Sequence, residues 1–295
     1  MRIISHIAKE TDAGRSVAAI LRGELRLSNG LIARLKREGC IFLNGASAKT
    51  NMRVCAGDVV SAAVGERPDE SSCAPLPFPI LLEDEDILII DKPAGAAVYG
   101  SRYDEDAVSV EEAVNAYFGK AGLFHPVNRL DRGTTGAMAI AKSGFMHEKL
   151  AGKLHTGNFE RTYFGICEGV FDKKSGRIDL PIARVFSSAI KREVREDGSP
   201  AATQYRVLDE KNGVSAVEFR LETGRTHQIR VHTAHLKHPL VGDFLYGTED
   251  KSLIARPALH SWRLCFIHPL SGKRIGLEAP IPRDMLALLN APEKE

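Results

Sequence analysis

Asp131 sits between two arginines, Arg129 and Arg132, in the run NRLDRGTTG (128–136), whose Gly-Thr-Thr-Gly segment puts a tight turn just before the apolar AMAIA. A guanidinium beside a carboxylate favours the carboxylate's charged form. Such a carboxylate is a competent nucleophile toward a sugar carbon. Two further segments carry groups suited to the same chemistry. RTYFGICEG (161–169) supplies Tyr163, with a flat face for stacking on a base and a hydroxyl at its tip. ETGRTHQIRVH (222–232) supplies Arg225, a guanidinium able to face a carboxylate. Each has a plain structural alternative: a loop acid paired with Arg129, a strand tyrosine with its ring in the core, and a turn cation after Thr223-Gly224. Taken together, aspartate, tyrosine and arginine suit work on the glycosidic bond of a nucleoside.

Other chemistries are poorly supported. The chain has no G-x-G-x-x-G, no phosphate loop ending in G-K-[ST], no G-x-S-x-G and no H-E-x-x-H. His227, His232, His235 and His238 cluster in THQIRVHTAHLKHP, but Arg225 and Arg230 lie among them and no cysteine or close acid completes a metal set. Ordinary hydrogen-bonded histidines are the better reading. The five cysteines form no C-x-x-C pair, which fits reduced thiols in a cytoplasm. MRIISHIAKETDAGRS contains no apolar run of signal-peptide length, and nothing approaches the roughly 20 apolar residues of a membrane span. The expectation is a soluble, cytoplasmic, monomeric protein. Its net charge of +2 is too small to name a partner, so any nucleic-acid footprint must be local.

The elements that would position these groups divide into two units. ERPDESSCAPLPFP (66–79) is polar, then proline-rich, and reads as a linker between residues 1–65 and 80–295. In the first unit, Ser28 is placed as N-cap of a helix whose Leu31, Ile32 and Leu35 share one face. CIFLNG follows as a strand ending in an Asn-Gly turn, and NMRVCAGDVVSAAV as a second strand pair around Ala56-Gly57-Asp58. Arg22, Arg26, Arg34, Lys36 and Arg37 face a single acid, Glu24, between residues 22 and 37. That excess suits phosphate contact; a solvated helix face is the alternative. In the second unit, ILIID, GAMAIAKS and RTYFGICEGVF read as strands, and TQYRVLDE and GVSAVEFRLETG as an antiparallel pair. EEAVNAYFGK and SGFMHEKLAGKLHTG read as helices. Without a regular strand-helix repeat, the class is α+β with a largely antiparallel sheet.

The N-terminal segment, roughly residues 12–64, resembles the small α/β RNA-binding domain named after ribosomal protein S-four. Over roughly residues 78–284 the chain resembles the RluA-type pseudouridine synthases. ILLEDEDILIIDKPAG, NRLDRGTTG, RTYFGICEG, ETGRTHQIRVHTAHLKHPLVGDFLYG and ALHSWRLCFIHPLSGK match that family's motifs in order. The resemblance implies a pseudouridine-synthase fold and conversion of uridine to pseudouridine in RNA, with ribosomal RNA the favoured substrate and transfer RNA a further one. It makes Asp131 the catalytic aspartate, Tyr163 the tyrosine against the target base and Arg225 the basic partner of the aspartate. Arg129 becomes the arginine that holds the flipped-out nucleotide's place in the RNA. Two positions depart from the family pattern: Asn128 stands where histidine is usual, and Thr135 where serine is usual. Asn keeps a donor and an acceptor but does not titrate; Thr keeps the hydroxyl.

The implied reaction is an isomerisation that requires no metal, nucleotide or organic cofactor. Uridine leaves the RNA stack and enters a pocket. Asp131 either attacks the anomeric carbon or takes a ribose proton, and the freed uracil turns and re-bonds through carbon-5. Two other classes remain open at this level: an inert RNA-binding module assisting ribosome assembly, and a hydrolase that frees the base.

Overall fold

The computed structural model describes residues 2–65, 73–100, 109–119, 123–154 and 156–290. Of the expected linker 66–79, residues 66–72 lie outside the described residues.

The N-terminal residues form β1 (Arg2–Ile7), α1 (Val17–Gly23), α2 (Asn29–Arg37), β2 (Ile41–Leu43), β3 (Ala46–Ser47) and β4 (Val59–Val64), with the strands in sheet order β1-β4-β2-β3. The Ser28 hydroxyl accepts from the Leu31 N–H at 3.3 Å, satisfying one of the open donors at the start of α2. Ile32 and Leu35 are buried in the N-terminal core, while Lys36 and Arg37 are exposed. Asn44 and Gly45, at φ +52° and +80°, make the left-handed turn between β2 and β3. One local expectation is corrected here. NMRVCAGDVVSAAV does not fold as a strand pair, because the Asp58 carboxylate accepts from the Cys55 N–H at 2.7 Å and closes a turn. The strand that follows, β4, pairs with β1 and β2 instead.

Residues 80–290 build a ten-stranded sheet and a small separate hairpin. The first half comprises β5 (Ile80–Glu83), β6 (Ile87–Lys92), α3 (Val110–Tyr117), β7 (His125–Pro126), β8 (Thr135–Ala141), α4 (Gly144–Ala151) and β9 (Phe159–Glu168). β10 (Ser175–Asp179), the hairpin of β11 (Ile182–Arg184) and β12 (Arg192–Val194), β13 (Ala202–Lys211) and β14 (Val214–Leu221) follow. The chain closes with α5 (Gln228–His235), β15 (Leu259–Ile267), β16 (Arg274–Glu278) and α6 (Arg283–Asn290). Order along the sheet is β10-β13-β14-β9-β15-β8-β6-β5, with β16 on β15 and β7 on β8. All these pairings are antiparallel except β8 with β15. This is the α+β, largely antiparallel class that the sequence pattern predicts.

Burial on both faces explains the unbroken apolar run in β6. Leu88 and Ile90 enter one core with Met138 and Ile140 of β8, while Ile87 and Ile89 enter another with Ala137, Ala139 and Ala141. Side chains alternate across a strand, so both parities must be apolar in a strand covered on both sides. The two units touch through α4: Phe145 at its start packs into the N-terminal core, and Lys149 Nζ donates to the Leu25 and Arg26 carbonyls at 3.3 and 3.2 Å.

Candidate active site

The turn that carries Asp131 is fastened from below. The Thr134 N–H donates to the Asp131 carbonyl at 3.0 Å, and the Gly95 N–H to the Arg132 carbonyl at 2.9 Å. Lys92, fully buried at the end of β6, donates from Nζ to the carbonyls of Pro93 (2.9 Å), Ala96 (2.8 Å) and Arg132 (3.2 Å). The Lys-Pro turn and the aspartate turn are thereby joined through one ammonium. Burial lowers the Lys92 pKa to about 8, with the Asp131 charge working in the opposite direction. Asn128 pins the approach to the turn: its Oδ1 accepts from the Ala139 N–H at 2.8 Å and its Nδ2 donates to the Ala137 carbonyl at 3.3 Å. Its role here is to register the loop on β8, which an amide performs without titrating.

Gly136 then lets β8 run close beside β15. A Cβ there would lie 2.3 Å from the Ser261 carbonyl oxygen, and the residue has φ +105°. This is where β8 and β15 run parallel, with Thr135 opposite His260 and Gly136 opposite Ser261. The Thr135 hydroxyl meets His260 Nδ1 at 2.8 Å. β9 lies on the other side of β15 and brings Tyr163 opposite Ser261.

Asp131 opens into a cavity of about 630 Å³ whose lining includes Arg129, Tyr163, Arg225, His227 and Arg230. Asp131 is the one carboxylate among the described lining residues. Tyr163 is buried, and that burial raises its pKa; the Asp131 charge adds to the rise, while Arg161, Ser261 and Asn128 oppose it. Arg129 is exposed at the cavity lining.

The guanidinium that reaches Asp131 is not Arg225. Arg225 is exposed and donates from Nε to the Pro200 carbonyl at 3.0 Å. Arg230, in α5, donates from Nη1 to Asp131 Oδ2 at 3.4 Å, and from Nε and Nη2 to the two Asp243 oxygens, both at 2.7 Å. Burial works against the Arg230 charge, yet its pKa is raised, because its hydrogen bonds to Asp243 and the charges of Asp243 and Asp131 outweigh it. Local backbone geometry explains the exchange of arginines. Gln228 Oε1 accepts from the Arg225 N–H and the Thr223 hydroxyl, while its Nε2 donates to the Ala202 carbonyl and the Thr203 hydroxyl. That clamp holds residues 223–225 on the outside. His227 then turns left-handed (φ +58°), and α5 carries Arg230 inward.

Sequence reasoning also leaves His227, Asp243 and Tyr246 without a role. Tyr246 Oη accepts from the Arg192 N–H at 2.8 Å and meets His227 Nδ1 at 2.9 Å. His227 Nε2 lies 3.8 Å from Asp131 Oδ2. Burial lowers the His227 pKa, while the charge of Asp131 works in the opposite direction. The signal for these residues lies in THQIR and GDFLYG, beside the residue chosen, but only tertiary placement tells which polar groups turn inward.

Two histidines of the THQIRVHTAHLKHP cluster are taken up by hydrogen bonds. His232 contacts the Thr203 hydroxyl and the Leu180 carbonyl, and His238 the Glu168 carbonyl. Elsewhere Asp84, Asp86 and His268 converge. There His268 Nδ1 accepts the Leu270 and Ser271 N–H groups, which leaves the proton on Nε2, and Arg2 occupies Asp86.

One carboxylate in contact with a guanidinium, beside a buried tyrosine, lies at the wall of a cavity on this mixed, largely antiparallel sheet. The family model described as RNA pseudouridylate synthase matches residues 86–235. The uncharacterized RNA pseudouridine synthase YjbO of Bacillus subtilis (strain 168) is 36% identical, over 90% of this chain and 96% of its own length. The ribosomal large subunit pseudouridine synthase D of Xanthomonas campestris pv. campestris is 35% identical, over 97% of this chain and 91% of its own. A solved structure, human RNA pseudouridylate synthase domain containing 4, shares the fold with a TM-score of 0.57 at 23% identity, covering 72% of this chain and 92% of that one. The chain belongs to the RNA pseudouridylate synthase family: it is an RNA pseudouridine synthase, an isomerase acting on RNA. Among the described residues, no helix is long and apolar enough to cross a membrane.

Proposed function

We propose that this enzyme isomerises uridine in large-subunit ribosomal RNA, with Asp131 as the reacting carboxylate, Arg230 as its partner and Tyr163 against the target base. The observation that carries this reading is the Asp131–Arg230 contact at the wall of the 630 Å³ cavity. The carbon–nitrogen bond to ribose breaks with the help of Asp131, acting at the anomeric carbon or on a ribose proton. The uracil turns within the cavity and bonds through carbon-5, the carbon-5 proton passes to solvent, and the freed ring nitrogen takes up a proton in its place. The number of atoms is unchanged, so water must be kept away from the intermediate. A hydrolase that frees the base with one carboxylate is disfavoured, because most glycosidases use two placed carboxylates and the described lining offers one; release of free uracil would favour it. Ribosomal RNA is favoured because several relatives are named ribosomal large subunit pseudouridine synthase D. Arg129 holds the RNA beside the cavity, and Arg225 contacts it from the outer loop.

Residues 1–65 serve as the RNA-binding unit. Arg26, Lys36 and Arg37 are exposed, and Arg34 lies partly buried, 3.8 Å from Glu38. Substituting Lys36 and Arg37 with alanine should weaken RNA binding and flatten its salt dependence, each lost phosphate contact reducing the slope by about one. The same reading places the protein in the cytoplasm as a monomer; no disulfide is present among the described residues.

The deciding experiment supplies ribosomal RNA tritiated at uridine carbon-5 and compares the wild type with Asp131→Asn. Tritium release by the wild type alone supports the proposal. Release from transfer RNA but not ribosomal RNA would overturn the substrate, and equal release by Asp131→Asn would overturn the role of the aspartate.

A further inference from the structure

Among the described residues, Arg161 is a buried cation without an anion. It is 6% exposed, and two residues along β9 from Tyr163, so both side chains leave the same face of the strand. Its Nη2 reaches only the carbonyls of Leu154 (3.4 Å) and Thr223 (3.5 Å), at the outer limit of hydrogen bonding. Its Nε is buried with no partner. Among the described residues no carboxylate pairs with it. The other buried arginines are differently served: Arg230 is gripped by both oxygens of Asp243, and Arg256 by both of Asp284. A buried guanidinium left this way is costly, so a ligand that completes it is strongly favoured.

The surroundings show where that ligand would come from. Arg161, Leu154 and Leu221 line the main cavity and also a second cavity of about 370 Å³. The guanidinium thus stands on the wall between the two. The loop after β14 makes room for it, since a Cβ on Gly224 would come 2.9 Å from Arg161 Nη1. Along a strand, alternate residues are about 7 Å apart, the reach of one nucleotide.

We propose that Arg161 binds a phosphodiester next to the target uridine, so that the RNA backbone passes from the main cavity toward the second. The proposal rests on the reading of the main cavity as the uridine site. A phosphate suits the group because RNA is the substrate and its backbone is the anion it must present; the guanidinium fork matches phosphate oxygens in pairs.

The test uses Arg161→Met and Arg161→Lys in the full chain. Methionine removes a buried unpaired charge, so thermal stability should hold or rise, whereas a residue with a structural role would lose stability on substitution. Affinity for unmodified ribosomal RNA should fall about tenfold, and the slope of log affinity against log salt should shrink by about one. Arg161→Lys should recover most of both. An unchanged salt slope, or a loss of stability in its place, overturns the proposal. A second measurement follows the Arg161 Nε–H resonance on addition of ApUpA. The trinucleotide should shift it, and the analogue with neutral methylphosphonate linkages should not; an equal response to both overturns the phosphate assignment. Neither readout depends on tritium release, so failure here is distinguishable from failure of the catalytic reading.

Discussion

Arg230 stands between two carboxylates, with Nε and Nη2 on Asp243 at 2.7 Å each and Nη1 left for Asp131 at 3.4 Å. Asp243 is fully buried and fixes the plane of the guanidinium, which in turn aims at the cavity acid. A lysine cannot make the fork and the third contact at once. Arg230→Lys should therefore lower kcat by about a hundredfold, the scale of a misplaced catalytic group, with little change in KM. Arg225→Ala, whose side chain reaches only the Pro200 carbonyl, should raise KM and leave kcat nearly unchanged. Steady-state tritium release separates the two; equal damage to kcat by both variants would contradict the assignment of Arg230 as partner.

Lys92 predicts an alkaline limit to activity. The ammonium has three protons for three carbonyls, those of Pro93, Ala96 and Arg132. Its pKa is lowered to about 8, so above that pH one donor and the charge are lost from beneath the Asp131 turn. The kcat profile should fall with an apparent pKa near 8. Stability should move the other way. Between about 8 and the unfolded value of 10.5, the unfolded chain holds a proton that the folded chain does not, so this group's contribution to unfolding free energy rises with pH. Lys92→Met should have a low rate and no limb near 8; a limb that persisted in that variant would belong to another group.

Much of this was legible in the sequence. The strands of the large sheet follow from period and β-branching, and the Ser28 cap and Asn-Gly turn from local chemistry. The choice between Arg225 and Arg230 was not legible, because it depends on a left-handed His227 and on Gln228 bonding to β13, a strand more than 20 residues earlier. β1 was equally hidden. RIISHI lacks clean alternation, Ile3 and Ile7 are exposed, and its partner β4 lies more than 50 residues away. Asp243 could not be matched to a guanidinium until α5 had placed one beside it.

Gly136 should be intolerant of any side chain. A Cβ would meet the Ser261 carbonyl at 2.3 Å and His260 at 2.8 Å, with φ at +105°. Both obstacles belong to the β8–β15 pair that sets Tyr163 near Asp131, and neither can yield cheaply. Gly136→Ala should cost roughly 4 kcal/mol or more, among the largest single-residue effects. Gly30 in α2 is the control: nothing lies within 4 Å of its Cβ position, and its φ is ordinary. Gly30→Ala should stabilise by roughly 0.5–1 kcal/mol. Denaturant melts of the two variants should therefore move in opposite directions.

His260 should make the protein acid-labile before its carboxylates do. It is fully buried; Nε2 faces the Ala279 carbonyl at 3.3 Å and must donate, so Nδ1 accepts the Thr135 hydroxyl. Burial lowers its pKa from 6.5 to about 4. Across that interval the unfolded chain takes a proton that the folded chain refuses, so unfolding free energy falls as pH drops from 6.5 to 4. The loss from this group is about 3 kcal/mol by the usual conversion. Glu222, lowered by Arg177 and Gln204 to about 2, loses its contribution only below 4.5, so the two windows barely overlap. His260→Gln keeps a donor for the Ala279 carbonyl and removes the titration. Its unfolding free energy should be lower than wild type at pH 7 and fall less steeply than wild type from pH 6.5 to 4.5, the remaining slope coming from His227 and His232, whose pKa values burial also lowers. If wild type and variant kept parallel slopes over that range, His260 would not be the group that titrates.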